Sequence, residues 1–164
     1  MEIRRFAASD SGSELSRVYE ESWKFAYKGI VPQSYLDAIP SGKWADVAER
    51  EGRVSLVLTD NERLVGTVSF GRSRFKEWAD WGEIVSLYLL PAYMGKGLGS
   101  RLLRTAREEL AQMGFSRCFL WVLEENTRAR RFYEKEGFSE SGEALINEIG
   151  GKALREIQYV KTDL

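Results

Sequence analysis

Residues Glu83 to Leu103, EIVSLYLLPAYMGKGLGSRLL, constrain the fold of this chain more than any other stretch. Ile84-Val85-Ser86-Leu87-Tyr88-Leu89-Leu90 is an apolar run rich in β-branched and aromatic residues, and Pro91 stops it. That composition suits a strand buried on both faces better than a helix. Gly95, Gly97 and Gly99 come after a short turn. Leu98, Leu102, Leu103, Ala106, Leu110 and Met113 then keep the spacing of a helix face until Gly114. The predicted element is strand, glycine loop, helix. Residues without side chains at a helix start let a ligand approach free N–H groups, whose positive dipole end favours an anion. A phosphate-bearing ligand is the first inference, and a glycine-rich turn with no ligand is the other reading of that spacing.

The spacing does not fit the two best-known phosphate loops. A P-loop needs G-x-x-x-x-G-K-[ST], but Gly95-Lys96-Gly97 is tighter and Leu98 follows. A dinucleotide fingerprint needs G-x-G-x-x-G and an acid about 20 residues on; here the loop is G-x-G-x-G and Phe119 stands at that distance. Met94-Gly95-Lys96-Gly97-Leu98-Gly99 instead resembles the coenzyme A loop of the GNAT superfamily of acyl-CoA N-acyltransferases. That loop reads Gln/Arg-x-x-Gly-x-Gly/Ala after a strand ending in Pro. Met94 stands where the family has Gln or Arg. The resemblance implies that Met94, Gly95, Lys96, Gly97, Leu98, Gly99 and Ser100 hold the pyrophosphate of acetyl-CoA, mainly through main-chain amides.

Composition narrows the rest. A chain of 164 residues is read as one domain, 1–164, large enough to bury a core without metals or disulfides. A formal net charge of −1 gives no bulk field for nucleic acid or an anionic membrane. Arg128, Arg130 and Arg131 form a local basic cluster that reads as a solvated helix face. The one cysteine, Cys118, excludes an internal disulfide, fits a reducing compartment and sits in an apolar run as a buried thiol. No segment approaches the ~18 apolar residues of a membrane span, and Met-Glu-Ile-Arg-Arg lacks a signal-peptide core, so the expected location is cytoplasmic. There is no histidine, which removes Ser-His-Asp and Cys-His catalysis and most zinc sites, and no metal is expected.

In chain order, Glu2–Phe6 reads as a first strand, and Asp10 or Ser11 can cap a helix to about Tyr27, closed by Gly29. Pro32 can open a short helix carrying Tyr35, Leu36 and Ile39, and Trp44, Val47 and Ala48 mark a third helical piece over Lys43 to Glu51. Val54–Leu58 and Leu64–Phe70, joined by Thr59-Asp60-Asn61-Glu62, read as an antiparallel hairpin. Arg72 to Asp80, polar with scattered aromatics, reads as a loop. Cys118–Leu123 is a second buried strand, Asn126 caps a helix closed by Gly137, and Phe138–Ile146 and Ala153–Val160 are two last strands.

Asn126 to Phe138, NTRARRFYEKEGF, resembles the family pattern N-x-x-A-x-x-x-Y followed by Gly-Phe, through Asn126, Ala129, Tyr133, Gly137 and Phe138. Trp23 to Leu36, WKFAYKGIVPQSYL, also resembles segments of bacterial members. The resemblance thus spans nearly the whole chain. It implies a mixed α/β fold, a mostly antiparallel six- or seven-stranded sheet flanked by four or five helices. The fourth and fifth strands would be parallel and splayed, with the pantetheine arm between them. It implies an acetyl-CoA-dependent N-acetyltransferase acting on a primary amine by direct attack in a ternary complex.

An amine attacking a thioester must be neutral, the oxyanion needs a donor, and the leaving thiolate needs a proton. Tyr133 matches the family tyrosine that serves the thiol sulfur, and also reads as a packing residue beside Phe132. Asn126 matches a position that contacts the coenzyme, although helix capping alone explains it. Main-chain groups of Leu87 and Leu89 would pair with the pantetheine, and the Tyr88 or Leu89 amide would polarise the carbonyl. Glu83 is the first candidate for general base, with Glu21, Glu124 and Glu125 in reserve. Trp23, Tyr27 and Trp121 read equally as an acceptor pocket or as core. A non-catalytic acyl-CoA sensor, a phosphate-ligand enzyme of another class and a partner-dependent subunit stay open, as does a homodimer. The acceptor itself (polyamine, amino acid, antibiotic or protein N-terminus) is not named by the sequence.

Overall fold

A seven-stranded sheet organises the computed structural model, which describes residues 1–164. Its strands are β1 (Glu2–Arg5), β2 (Arg53–Asp60), β3 (Arg63–Arg72), β4 (Gly82–Leu89), β5 (Cys118–Leu123), β6 (Ser139–Ile149) and β7 (Lys152–Lys161), in the order β1-β2-β3-β4-β5-β7-β6. All neighbours are antiparallel except β4 and β5. Four helices complete the fold: α1 (Gly12–Ala26), α2 (Gln33–Asp37), α3 (Leu98–Gln112) and α4 (Thr127–Lys135). The strand and helix order expected from the sequence is the one found.

Local chemistry explains the boundaries. Ser11 accepts a hydrogen bond from the Glu14 amide and starts α1, while Asn126 Oδ1 accepts from the Ala129 amide and starts α4. The β2–β3 hairpin turns on Asn61 and Glu62, both with positive φ, the backbone twist a two-residue hairpin prefers. The third helical piece expected over Lys43 to Glu51 is instead a series of turns, with only a 3₁₀ turn at Val47–Glu49. Its apolar residues still point inward: Val47 is buried, and Trp44 stacks on Tyr19. Burial there does not require helix.

The core lies on both faces of β3 and β4. Leu102 and Leu103 of α3 are wholly buried, and a Cβ on Gly66 would overlap Leu89 and crowd Leu102, so α3 covers the Leu89 face. Tyr19 of α1 meets Ser86 at 3.0 Å, and Trp23 reaches Tyr88. Because successive side chains of a strand alternate, α1 covers the opposite face. No helix is long and apolar enough to cross a membrane.

Candidate active site

The two parallel strands pair only at Gly82 with Cys118 and at Glu83 with Phe119. Beyond those pairs they part, and the gap widens into a cavity of about 810 Å³. β4 forms one wall from Ile84 to Leu89, and β5 forms the other from Leu120 to Leu123. Leu90 donates its N–H to Val65 of β3 at 2.9 Å. Main-chain groups alternate in direction along an antiparallel ladder, so Tyr88 also turns to β3 while Leu87 and Leu89 present theirs to the gap. The Leu89 carbonyl is already taken by the Ser22 hydroxyl at 2.6 Å.

At one end of the cavity lies the start of α3. Gly95 and Gly97 adopt φ of 73° and 77°, left-handed backbone that favours glycine, and Gly97 caps the helix without a side chain. Gly99 has an ordinary backbone, and a Cβ there would touch Phe132 at 3.4 Å. No main-chain or side-chain acceptor takes the amides from Gly95 through Ser100. Unpaired amides at a helix N-terminus can hold an anion. Arg128 and Lys135 of α4 line the same cavity, and Ser100 donates its hydroxyl to Glu136 at the end of that helix.

The other end is aromatic. Tyr27, Tyr88 and Tyr133 line it together with Trp121. The Tyr88 hydroxyl accepts from the Trp23 indole at 3.2 Å and faces Tyr27. Burial pushes the Tyr27 phenol up to about 12 and raises Tyr88 well above the usual phenol value. It also raises Tyr133, which Tyr88 reinforces. All three therefore hold their protons at neutral pH. Trp121 keeps a buried indole N–H without a partner.

Of the residues singled out in the sequence, Leu87, Tyr88, Leu89, Met94, Gly95, Gly97, Gly99, Ser100, Asn126, Tyr27, Trp121 and Tyr133 line this cavity. Lys96 does not; its ammonium lies over the Tyr93 ring. Leu98 packs into the core, and Trp23 backs Tyr88 and Tyr27 from behind. Glu83 is buried at the root of the gap, outside the lining, with both oxygens bound to Arg74. Glu21, Glu124 and Glu125 sit in ion pairs with Arg17, Arg155 and Lys152. Sequence reasoning missed Glu156 of β7, which lines the cavity. A lone acid in the alternating run Arg155-Glu156-Ile157-Gln158 carries no signal distinguishing it from a solvated strand face.

The profile of the Acetyltransferase (GNAT) family matches residues 15–138, the stretch that holds both ends of this cavity except Glu156. The chain belongs to the acetyltransferase (GNAT) family. Among its relatives, an uncharacterized N-acetyltransferase of Bacillus subtilis, YuaI, is 30% identical over 163 residues, covering 98% of this chain and 92% of the relative. A spermidine N(1)-acetyltransferase of Thermoplasma acidophilum is 27% identical over 144 residues, 84% of this chain and 88% of that one. The fold of this GNAT acetyltransferase is shared with the PaiA N-acetyltransferase of Thermoplasma acidophilum, solved in complex with coenzyme A. The two superpose with a TM-score of 0.75 at 24% identity, over 98% of each chain.

Proposed function

We propose that this GNAT acetyltransferase moves the acetyl group of acetyl-CoA to a primary amine by direct attack in a ternary complex. One observation carries the reading: the split between β4 and β5 joins an open glycine turn to a cluster of protonated tyrosines in a single cavity. Acetyl-CoA, when bound, supplies an acyl group activated as a thioester.

The chain's own groups fit that ligand. The free amides of Gly95 to Ser100 suit a pyrophosphate, and Arg128 and Lys135 add positive charge to the same cavity. The exposed N–H groups of Leu87 and Leu89 suit the amide groups of pantetheine, which would add to β4 as a partner strand does. Of the two amides considered for the carbonyl oxygen, Leu89 faces the gap and Tyr88 does not, so Leu89 is the donor. Tyr133 holds a proton at its hydroxyl and gives it to the leaving sulfur as the C–S bond breaks. Asn126 caps α4 at the cavity wall and so starts the helix that carries Tyr133.

The relative named for spermidine supports an amine as acceptor without naming the one used here. The test is thiol release from acetyl-CoA across a panel of primary amines. Amine-dependent release supports the reading. Tight coenzyme binding with no release on any amine overturns it in favour of an acyl-CoA sensor.

A further inference from the structure

We propose that Glu156 of β7, not Glu83, is the group that takes the proton from the acceptor ammonium. The inference rests on the acetyltransferase reading above. Two acids line the cavity, Glu136 and Glu156. Glu136 is bound to Ser100 at the glycine-turn end, away from the acyl chemistry. Glu156 lies beside the tyrosines, close enough for its charge to raise the Tyr27 phenol.

The two glutamates differ in what remains free to react. Glu83 is 1% exposed, and its oxygens receive the Arg74 Nη2, Nε and main-chain N–H at 2.7, 3.1 and 3.1 Å. Those three donors occupy both of its oxygens, and Glu83 does not line the cavity. Glu156 is half-buried and receives one hydrogen bond, from Asn147 Nδ2 of β6 to Oε2 at 2.6 Å. Its Oε1 has no partner in the protein. Asn147 orients the carboxylate, and the free oxygen serves the substrate.

The surroundings favour a carboxylate with raised proton affinity. Glu156 faces Asn147 from β6, Tyr27 from the end of α1, and the Arg74 charge from the loop between β3 and β4. Burial raises its proton affinity, and the Asn147 bond and Arg74 only partly oppose this. In the proposed step an N–H bond of the ammonium breaks, its electron pair stays on nitrogen, and the proton passes to Glu156. The freed pair then forms the C–N bond while the C–S pair leaves with sulfur and collects the Tyr133 proton. The second N–H proton of the new N-acylammonium is lost to water as the amide forms, water returns a proton to the Tyr133 oxygen, and Glu156 releases its proton to solvent.

The sign of the pH dependence follows. The base form of Glu156 exists above its raised pKa, so wild-type turnover climbs as pH rises through that value. Without the carboxylate, turnover depends on acceptor already neutral in solution and keeps climbing toward the ionisation of an alkylamine, about 10.4 for a lysine-like group.

The experiment compares wild type, Glu156→Gln and Glu156→Asp, with spermidine, 2-aminoethylphosphonate and phenethylamine as acceptors and thiol release as readout from acid to alkaline pH. Glu156→Gln should lose about 10²–10³-fold at neutral pH, recover at high pH, and bind coenzyme A as wild type does. Glu156→Asp should keep part of the rate and the wild-type limb. A second readout needs no turnover: with ¹³C at the glutamate side-chain carboxyl carbons, the resonance lost in Glu156→Gln should titrate above the ordinary ~4.3. A wild type active with an amine but matched by Glu156→Gln at every pH overturns this role and leaves the acetyltransferase reading standing. So does a resonance titrating at or below the ordinary value. A wild type that binds coenzyme A and acetylates no amine overturns both.

Discussion

Arg74 grips Glu83 with both arms of its guanidinium, Nη2 to Oε2 at 2.7 Å and Nε to Oε1 at 3.1 Å. The pair ties the loop between β3 and β4 to the root of the gap. That loop carries Phe75 and Trp78, whose rings pack on Phe119 and Trp121 of β5 at centroid distances of 5.5 to 6.1 Å. One buried carboxylate therefore fixes the aromatic cover over one wall of the cavity.

Glu83→Gln should behave as a stability variant. Arg74 is half-exposed and can return to water, so the loss is that of hydrogen bonds to a charged group, about 1.5–3 kcal/mol. The thermal midpoint should fall by several degrees, with the acid limb of the pH–rate profile unmoved. A profile that loses its acid limb while stability is unchanged would make Glu83 the base.

The glycine turn makes a separate prediction. At Gly97 a side chain has open space, but its φ of 77° is costly for a branched residue, about 1–2 kcal/mol. Gly97→Val also sets a side chain beside the free amides. Coenzyme A affinity should drop at least about tenfold, roughly 1.4 kcal/mol, with the sheet intact. An unchanged affinity by calorimetry would remove the phosphate from this turn.

A third prediction concerns acid stability, far from the cavity. Arg4 donates to Asp10 at 2.7 and 2.8 Å and holds its carboxyl below the usual range, helped by the Ala7 amide. A carboxyl whose folded pKa is depressed stabilises the fold above its unfolded value, about 3.9, and loses that stability as pH falls through the folded one. Asp10→Asn should therefore be less stable than wild type at neutral pH, and the gap should close as pH drops below about 4. A gap that stays constant down to acid pH contradicts the pairing.

Much of this was legible because the signals are local. Pro91, the three glycines and the 98-102-103-106-110 stripe specify a strand, a turn and a helix within one stretch, and Asn126 announces its own cap. What the sequence did not disclose depends on partners far along the chain. The sequence does not show that Glu83 is bound by Arg74 across the loop, nor that Glu156 comes to the cavity when β7 is laid beside β5. Trp23 shares an aromatic helix face with Tyr27, yet only Tyr27 reaches the cavity, since the Trp23 indole is turned to the Tyr88 hydroxyl. The misread helix over Lys43 to Glu51 shows the same limit, since apolar spacing reports burial before it reports backbone.

Tyr133→Phe tests the central claim most directly. The substitution keeps the ring and its packing against Phe132 and Phe138, and removes only the hydroxyl. Thiol release should be measured with acetyl-CoA and with an acetyl thioester whose thiol is more acidic. With acetyl-CoA, turnover should fall about 10²–10³-fold at unchanged coenzyme affinity. With the more acidic leaving group the loss should shrink, because that sulfur needs less help to depart. A Phe variant as fast as wild type, or one equally impaired with both donors, would contradict a general acid at Tyr133.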